Sequence, residues 1–326
     1  MRAHRSSLAG FVVFFSLLAA CSSSSPTSST TGSGGGTTAT TGTGGTTSGT
    51  GGATTTTTTG TGGGTTTTTT TTTSSGTGGS MGTPGDHLLI AELGVSPAGG
   101  EFIEIQNPTA SAIELDRYFL SDNSAYYGIA AGQAWNPVTS NPGTDFLAQF
   151  PAGAVLAAGA QIVIATDATF ETVYSKCPDY ILGEMPLTCL NGTAKAMVAP
   201  ANGGIGDKKG ALLSNDREMV VLFRWDGVTA QVEDVDYLTW GAMFEDATRA
   251  DKTAVAGYAP DTARASQKGA VAPMAAQSIE RCGAPEPGEK TSGGNGITGH
   301  DETSEDLGAS FKAQAKPTPG ATNSCL

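Results

Sequence analysis

The sequence predicts an all-β sandwich over residues 86–326, preceded by a disordered Thr/Gly-rich linker. Three observations carry that prediction. Past residue 86 the apolar residues fall in short, mostly alternating runs. Gly, Pro, Asn and Asp separate those runs at turn spacing. Helical periodicity is weak, and Ala168–Ser175 is the one short stretch that fits a helix.

The elements follow in order. Leu88–Leu93 reads as a first strand, closed by Gly94 and the turn Pro97-Ala-Gly-Gly100. Glu101–Ile105 is the second, with Glu101, Ile103 and Ile105 on one face, and Asn107-Pro108 ends it because Pro donates nothing to a ladder. Ile113, Leu115 and Tyr118-Phe-Leu120 come next, then a Ser121-Asp-Asn123 turn. Turns at Phe150–Gly153 and Ala158-Gly159 precede a buried-type strand, Gln161–Ala165. Glu218–Phe223 is a strand, and the turn Trp225-Asp-Gly227 is read as leading into Val228–Val232, continued by Val235, Tyr237 and Leu238. Gln277–Arg281 is the last clear strand. Stretches 124–146, 167–211, 241–276 and 283–310 read as insertions or long loops.

Composition divides the chain. Its 326 residues carry a formal net charge of -13, with 14% charged residues and 46 Gly. Residues 22–85 hold 29 Thr, 19 Gly and 11 Ser, and no charge, aromatic ring or Cys. Such a stretch buries too little to offset the entropy of ordering it, so it reads as a tether with a reach of roughly 45 Å. Residues 86–326 keep all 30 acidic and 15 of the 17 basic residues, a net of -15. That balance excludes a basic nucleic-acid binder, and the lack of repeated long apolar runs excludes a multi-span membrane protein.

Arg2 and Arg5 precede a short apolar run, Leu8–Ala20, which is too short for a bilayer span and reads as a secretory signal. Leu18-Ala-Ala-Cys21 resembles a bacterial lipobox. The resemblance implies cleavage after Ala20 and diacylglycerol on the Cys21 sulfur. The expected organisation is therefore a signal peptide at 1–20, lipidated Cys21 with the linker at 21–85, and the sandwich at 86–326. Ser22 rather than Asp follows the Cys, which favours the outer membrane, with the domain in the periplasm or at the cell surface.

Assigning Cys21 to lipid leaves four Cys, which permit three pairings. The expected bridges are Cys177–Cys189 and Cys282–Cys325, since each pair brackets one Gly/Pro-rich stretch. Zinc would need closer Cys/His spacing such as C-x₂-C, which is absent.

A family resemblance joins these blocks. Leu89-Ile-Ala-Glu-Leu93, Glu101-Phe-Ile-Glu-Ile-Gln-Asn107 and Ile113–Asp122 are similar to the opening of a lamin tail domain. Phe150-Pro-Ala-Gly153 with Leu156–Ile164, then Leu213–Leu222, Ser278-Ile-Glu-Arg281 and Thr318–Asn323, continue the order. The resemblance implies an immunoglobulin-like β-sandwich, found in bacteria on secreted and anchored proteins.

Catalytic chemistry finds little support. Past residue 21 the only histidines are His87 and His300. His87, at the junction of linker and domain, reads as an exposed, uninvolved imidazole. His300 lies on a Gly-rich loop with Asp301, Glu302, Glu305 and Asp306, whose oxygens are Ca²⁺ candidates without EF-hand spacing. Glu92, Glu101 and Glu104 would suit paired-carboxylate chemistry but read better as structural, and Asn107 as fixing a turn through its side chain. G-x-S-x-G is missing, and Gly203–Gly210 lacks the Lys-Ser/Thr ending of a phosphate loop. The expected role is non-catalytic binding or structure, with no cofactor unless Ca²⁺. The expected partners are the membrane, through the lipid, and a protein or glycan of the cell envelope, with no nucleic acid. The alternative is a metal-dependent envelope hydrolase using loop 300–306.

Overall fold

Short strands with long buried apolar runs build two facing sheets in this computed structural model. It describes residues 85–323 apart from 98, 134–144, 184, 202, 206–212, 242–247 and 283–285. Cys21, the linker and Cys325 lie outside the described residues.

The larger sheet contains β1 (Leu89–Gly94), β2 (Phe102–Gln106), β7 (Gln161–Ala165), β8 (Tyr180–Ile181), β9 (Leu187–Cys189), β10 (Gly192–Ala196), β13 (Ser278–Arg281) and β14 (Phe311–Gln314). Their order is β14-β13-β1-β2-β7-β8-β10-β9. The smaller sheet runs β12-β11-β4-β5, from β4 (Tyr118–Ser121), β5 (Leu147–Gln149), β11 (Arg217–Arg224) and β12 (Glu233–Gly241). A short pair joins β3 (Ile113–Glu114) to β6 (Val155–Leu156). Pairing is antiparallel except that β8 runs parallel to β7 and β10.

The core lies between the two sheets. Ile90, Ile103, Ile105 and Ile164 of the larger sheet share one buried cluster with Phe119, Leu120, Val220 and Leu238 of the smaller. Phe119 stacks on Phe223 with ring centroids 5.2 Å apart. Asn107 fixes the corner after β2. Its Nδ2 donates to the carbonyls of Ser111 (2.8 Å) and Leu156 (2.9 Å), and its Oδ1 accepts from the Thr109 amide (3.1 Å).

The stretch after residue 167 is ordered. Its short helix α1 (Phe170–Tyr174) covers the outer face of the larger sheet, where Phe102, Val163, Phe170, Ile181 and Ala194 form a second buried cluster. Cys177 and Cys189 are disulfide-bonded and close a loop of 12 residues. Replacing both with Ala is expected to cost about 3 kcal/mol by freeing that loop in the unfolded chain. Hydrogen exchange checks it, since amides of β9 and β10 should lose protection before those of β1 and β2. The pairing of Cys282 with Cys325 calls on a residue outside those described.

One strand starts later than the sequence predicts. Val228–Gln231 is a turn rather than strand, and β12 begins at Glu233. The Asp226 carboxylate accepts from the amides of Val228 and Thr229 and from the Thr229 hydroxyl, each at 2.8 Å, so these residues have no ladder to join. Val228 is left 86% exposed. One more strand follows Gln277–Arg281, the last that is clear in the sequence. A one-turn helix α2 (Leu307–Ser310) leads into β14, which pairs with β13.

Candidate functional site

His87 sits immediately before β1, and burial rather than exposure is its fate. It is 3% exposed, its Nδ1 lies 2.6 Å from Asp86 Oδ1, and its Nε2 lies 2.7 Å from Glu286 Oε1. The expectation of an uninvolved surface imidazole is therefore wrong. Its partner stands 199 residues further along the chain. Burial works against a charged imidazole, but the hydrogen bond and charge of Glu286, with Asp236 and Asp86, outweigh it and raise His87 to about 9.

The segment that supplies Glu286 is held against β12. The Asp234 amide donates to the Asn295 carbonyl (3.0 Å) and the Ile297 amide to the Asp234 carbonyl (2.7 Å). The Asn295 side chain bonds the backbone of Ala259 on both sides and donates to Asp261 Oδ1 (2.7 Å). Two glycines permit the close return of the chain. A Cβ at Gly294 would strike the carbonyl of His300, and one at Gly296 would strike Glu302 Oε1.

This return brings His300 and Glu302 back beside His87. The two imidazole rings meet edge to face at 6.1 Å between centroids. His300 Nδ1 lies 3.2 Å from Glu289 Oε2. Two donor triplets form, His87/Glu286/Glu302 and Glu286/Glu289/His300, within each of which the ligand atoms lie within 4.8 Å of one another. Glu302 is 3% exposed, and its Oε1 makes no hydrogen bond. Burial and the charges of Glu289, Asp236 and Glu286 push the Glu302 carboxyl well above its usual range. Burial, with the charge of Glu286, raises Glu289 to about 8.

Beneath the cluster Arg281 neutralises two further acids. Its Nη2 binds both oxygens of Asp236 (2.9 and 2.8 Å), its Nη1 binds Glu305 Oε1 (2.7 Å), and its Nε donates to the Ile90 carbonyl (3.0 Å). The Ile90 amide in turn donates to Asp236 Oδ2 (2.5 Å).

The four carboxylates considered for Ca²⁺ go separate ways. Asp301 accepts from Lys290 Nζ (2.9 Å), Thr262 Oγ1 (2.8 Å) and Thr303 Oγ1 (2.5 Å). Glu305 is bound to Arg281, and Asp306 to Lys268 Nζ at 2.7 Å. Only Glu302 joins a cluster of three donors among the described residues. Glu92 and Glu104 lie together elsewhere, cross-strand neighbours on β1 and β2, with Glu280 of β13 opposite Glu92 on the other side. Glu101 instead accepts from the Leu213 amide at 3.1 Å. Sequence reasoning missed His87, Glu286 and Glu289. Their only signal was the return of a His/Glu-rich loop, and nothing local tied it to the start of β1.

Residues 82–242 match the family model of the Lamin Tail Domain. Among solved structures, a DUF4876 family protein from Bacteroides thetaiotaomicron is similar at 15% identity, covering 74% of this chain and 74% of that one, with a TM-score of 0.41. No curated protein matches.

Proposed function

From a chain that carries a lamin tail domain over residues 82–242, we propose a lipid-anchored protein of a bacterial cell envelope. In this reading Cys21 bears the lipid, residues 22–85 form the tether, and the sandwich has a non-catalytic binding or structural role towards an envelope protein or glycan. The membrane is the outer one, and nucleic acid is not a partner.

The observation that carries the anchor is Leu18-Ala-Ala-Cys21 followed at once by a polar low-complexity run. Two acyl chains suffice for stable anchoring at about 0.8 kcal/mol per buried CH₂. Among the described residues no helix is long and apolar enough to cross a membrane. The non-catalytic role is supported by loop 300–306. Three of its four carboxylates are engaged by Lys290, Arg281 and Lys268, which is how loops are pinned rather than how a hydrolytic pocket is furnished.

Cys21→Ser should move the protein out of the detergent phase on phase partition. Continued partition with detergent would refute the anchor. Failure of the soluble variant to cosediment with purified envelope fragments would refute the binding role.

A further inference from the structure

We propose that His87, Glu286, Glu289, His300 and Glu302 form a binding site for one divalent cation of the zinc class, clamping the start of the domain to the 286–302 segment. The inference does not depend on the lipid anchor or on any envelope partner.

The donor chemistry identifies the ion. Two imidazole nitrogens with carboxylate oxygens suit Zn²⁺ and its first-row neighbours, whereas Ca²⁺ takes oxygen ligands. Two donors on one Zn²⁺ lie about 2.0–2.1 Å from it, hence within about 4 Å of each other, so triplets already gathered to 4.8 Å need only small side-chain movements. Glu286 belongs to both triplets and links them.

Three further observations point to an ion. Glu302 Oε1 and Glu289 Oε1, on two of these residues, are buried without a hydrogen bond, and His300 Nδ1 has only the 3.2 Å contact to Glu289 Oε2 among the described residues. A buried polar atom without a partner is costly, and a metal bond would satisfy it. Asp86 at 2.6 Å from His87 Nδ1 is the outer carboxylate that fixes a metal-binding imidazole, and Nε2, which lies 2.7 Å from Glu286 Oε1, would exchange that contact for the ion. Arg281 is already occupied by Asp236 and Glu305, so Glu286, Glu289 and Glu302 have the imidazoles of His87 and His300 as their neighbours. An entry path exists, since the side chains of Glu286 and His300 retain 13% and 14% of their exposure.

The position gives the ion a mechanical role. His87 follows the Thr/Gly/Ser stretch by two residues, so the ion would tie the point where that stretch ends to a segment about two hundred residues away. Metal clips that close long loops constrain the unfolded chain most.

The test uses the full chain, stripped with chelator and titrated with ZnCl₂ in equilibrium dialysis. One equivalent should bind, and the melting temperature should rise by about 5 °C at roughly a hundredfold excess over Kd. CaCl₂ at the same concentration should do neither. Glu302→Gln and His300→Ala should each weaken Zn²⁺ binding by at least about a hundredfold while circular dichroism stays that of the folded protein. Should either variant fail to fold, Glu289→Gln takes its place with the same expected loss. Co²⁺ should give a visible absorption band that His300→Ala abolishes. No Zn²⁺ bound, binding that survives these substitutions, or an equal response to Ca²⁺ would overturn the proposal.

Discussion

Replacing Lys252 with alanine is expected to cost about 3–5 kcal/mol of folding stability. Lys252 has no exposed surface. Its ammonium donates to Tyr126 Oη and Asp234 Oδ2, both at 2.7 Å, and lies 3.1 Å from Asp261 Oδ2. It also sits 5.1 Å from the centre of the Tyr126 ring. The Tyr126 hydroxyl donates to the other oxygen of Asp234 at 2.5 Å. Four groups from four places in the chain thus satisfy one another away from water.

Removing the cation leaves Asp234 and Asp261 buried with like charge, and that penalty outweighs the loss of the contacts themselves. The comparison variant separates the two effects. Lys252→Met combined with Asp234→Asn and Asp261→Asn carries no buried charge and should be less destabilised than Lys252→Ala alone. Urea unfolding with a common slope reads the difference. A Lys252→Ala midpoint within about 1 kcal/mol of the parent would show that water reaches the site and that the network does not hold the insertion.

Where the network sits explains what could be read from the sequence. β1, β2, β7, β11 and β13 are legible because each buries a run of four or more consecutive residues between turn signals. β5, β6, β8 and β9 have two or three residues each, too few for a period, and exist because a neighbour offers a ladder. The disulfide between Cys177 and Cys189 is local and is one of the two expected bridges, although four Cys alone permit three pairings. Lys252, His87 and Arg281 were not, because their partners Asp234, Glu286 and Glu305 are fixed by topology rather than by proximity in the chain. The acids of 301–306 were visible as a cluster, but a cluster on the page does not reveal that Lys290, Arg281 and Lys268 draw three of them apart.

The three carboxylates on the outer face of the larger sheet give the second large effect, a loss of stability as pH rises. Glu280, Glu92 and Glu104 lie side by side across β13, β1 and β2, all without exposed surface. The segment after β14 covers them. The Thr318 amide donates to Glu92 Oε1 at 2.9 Å, the Thr318 hydroxyl to Glu280 Oε1 at 3.0 Å, and the Gly320 amide to Glu104 Oε2. Lys176 is the nearby cation, and its ammonium is bonded to the carbonyls of Pro319 and Gly320. Burial raises Glu104 from 4.5 to about 8; the charges of Glu92 and Glu280 add to this, while the Gly320 amide and Lys176 oppose it. Burial also raises Glu92.

The folded state therefore holds a proton on Glu104 that the unfolded chain has released. Its contribution is complete below pH 4.5 and is lost as pH rises through about 8. At about 1.4 kcal/mol per unit the loss approaches about 5 kcal/mol. Glu104→Gln cannot ionise, yet its carbonyl oxygen still accepts from the Gly320 amide. The variant should match the parent near pH 5 and exceed its stability by a few kcal/mol near pH 9. Urea midpoints at the two pH values decide it. A parent equally stable at both, or a variant that follows the parent's decline, would mean that these carboxylates are ionised in the folded state and that the covering segment tolerates their charge.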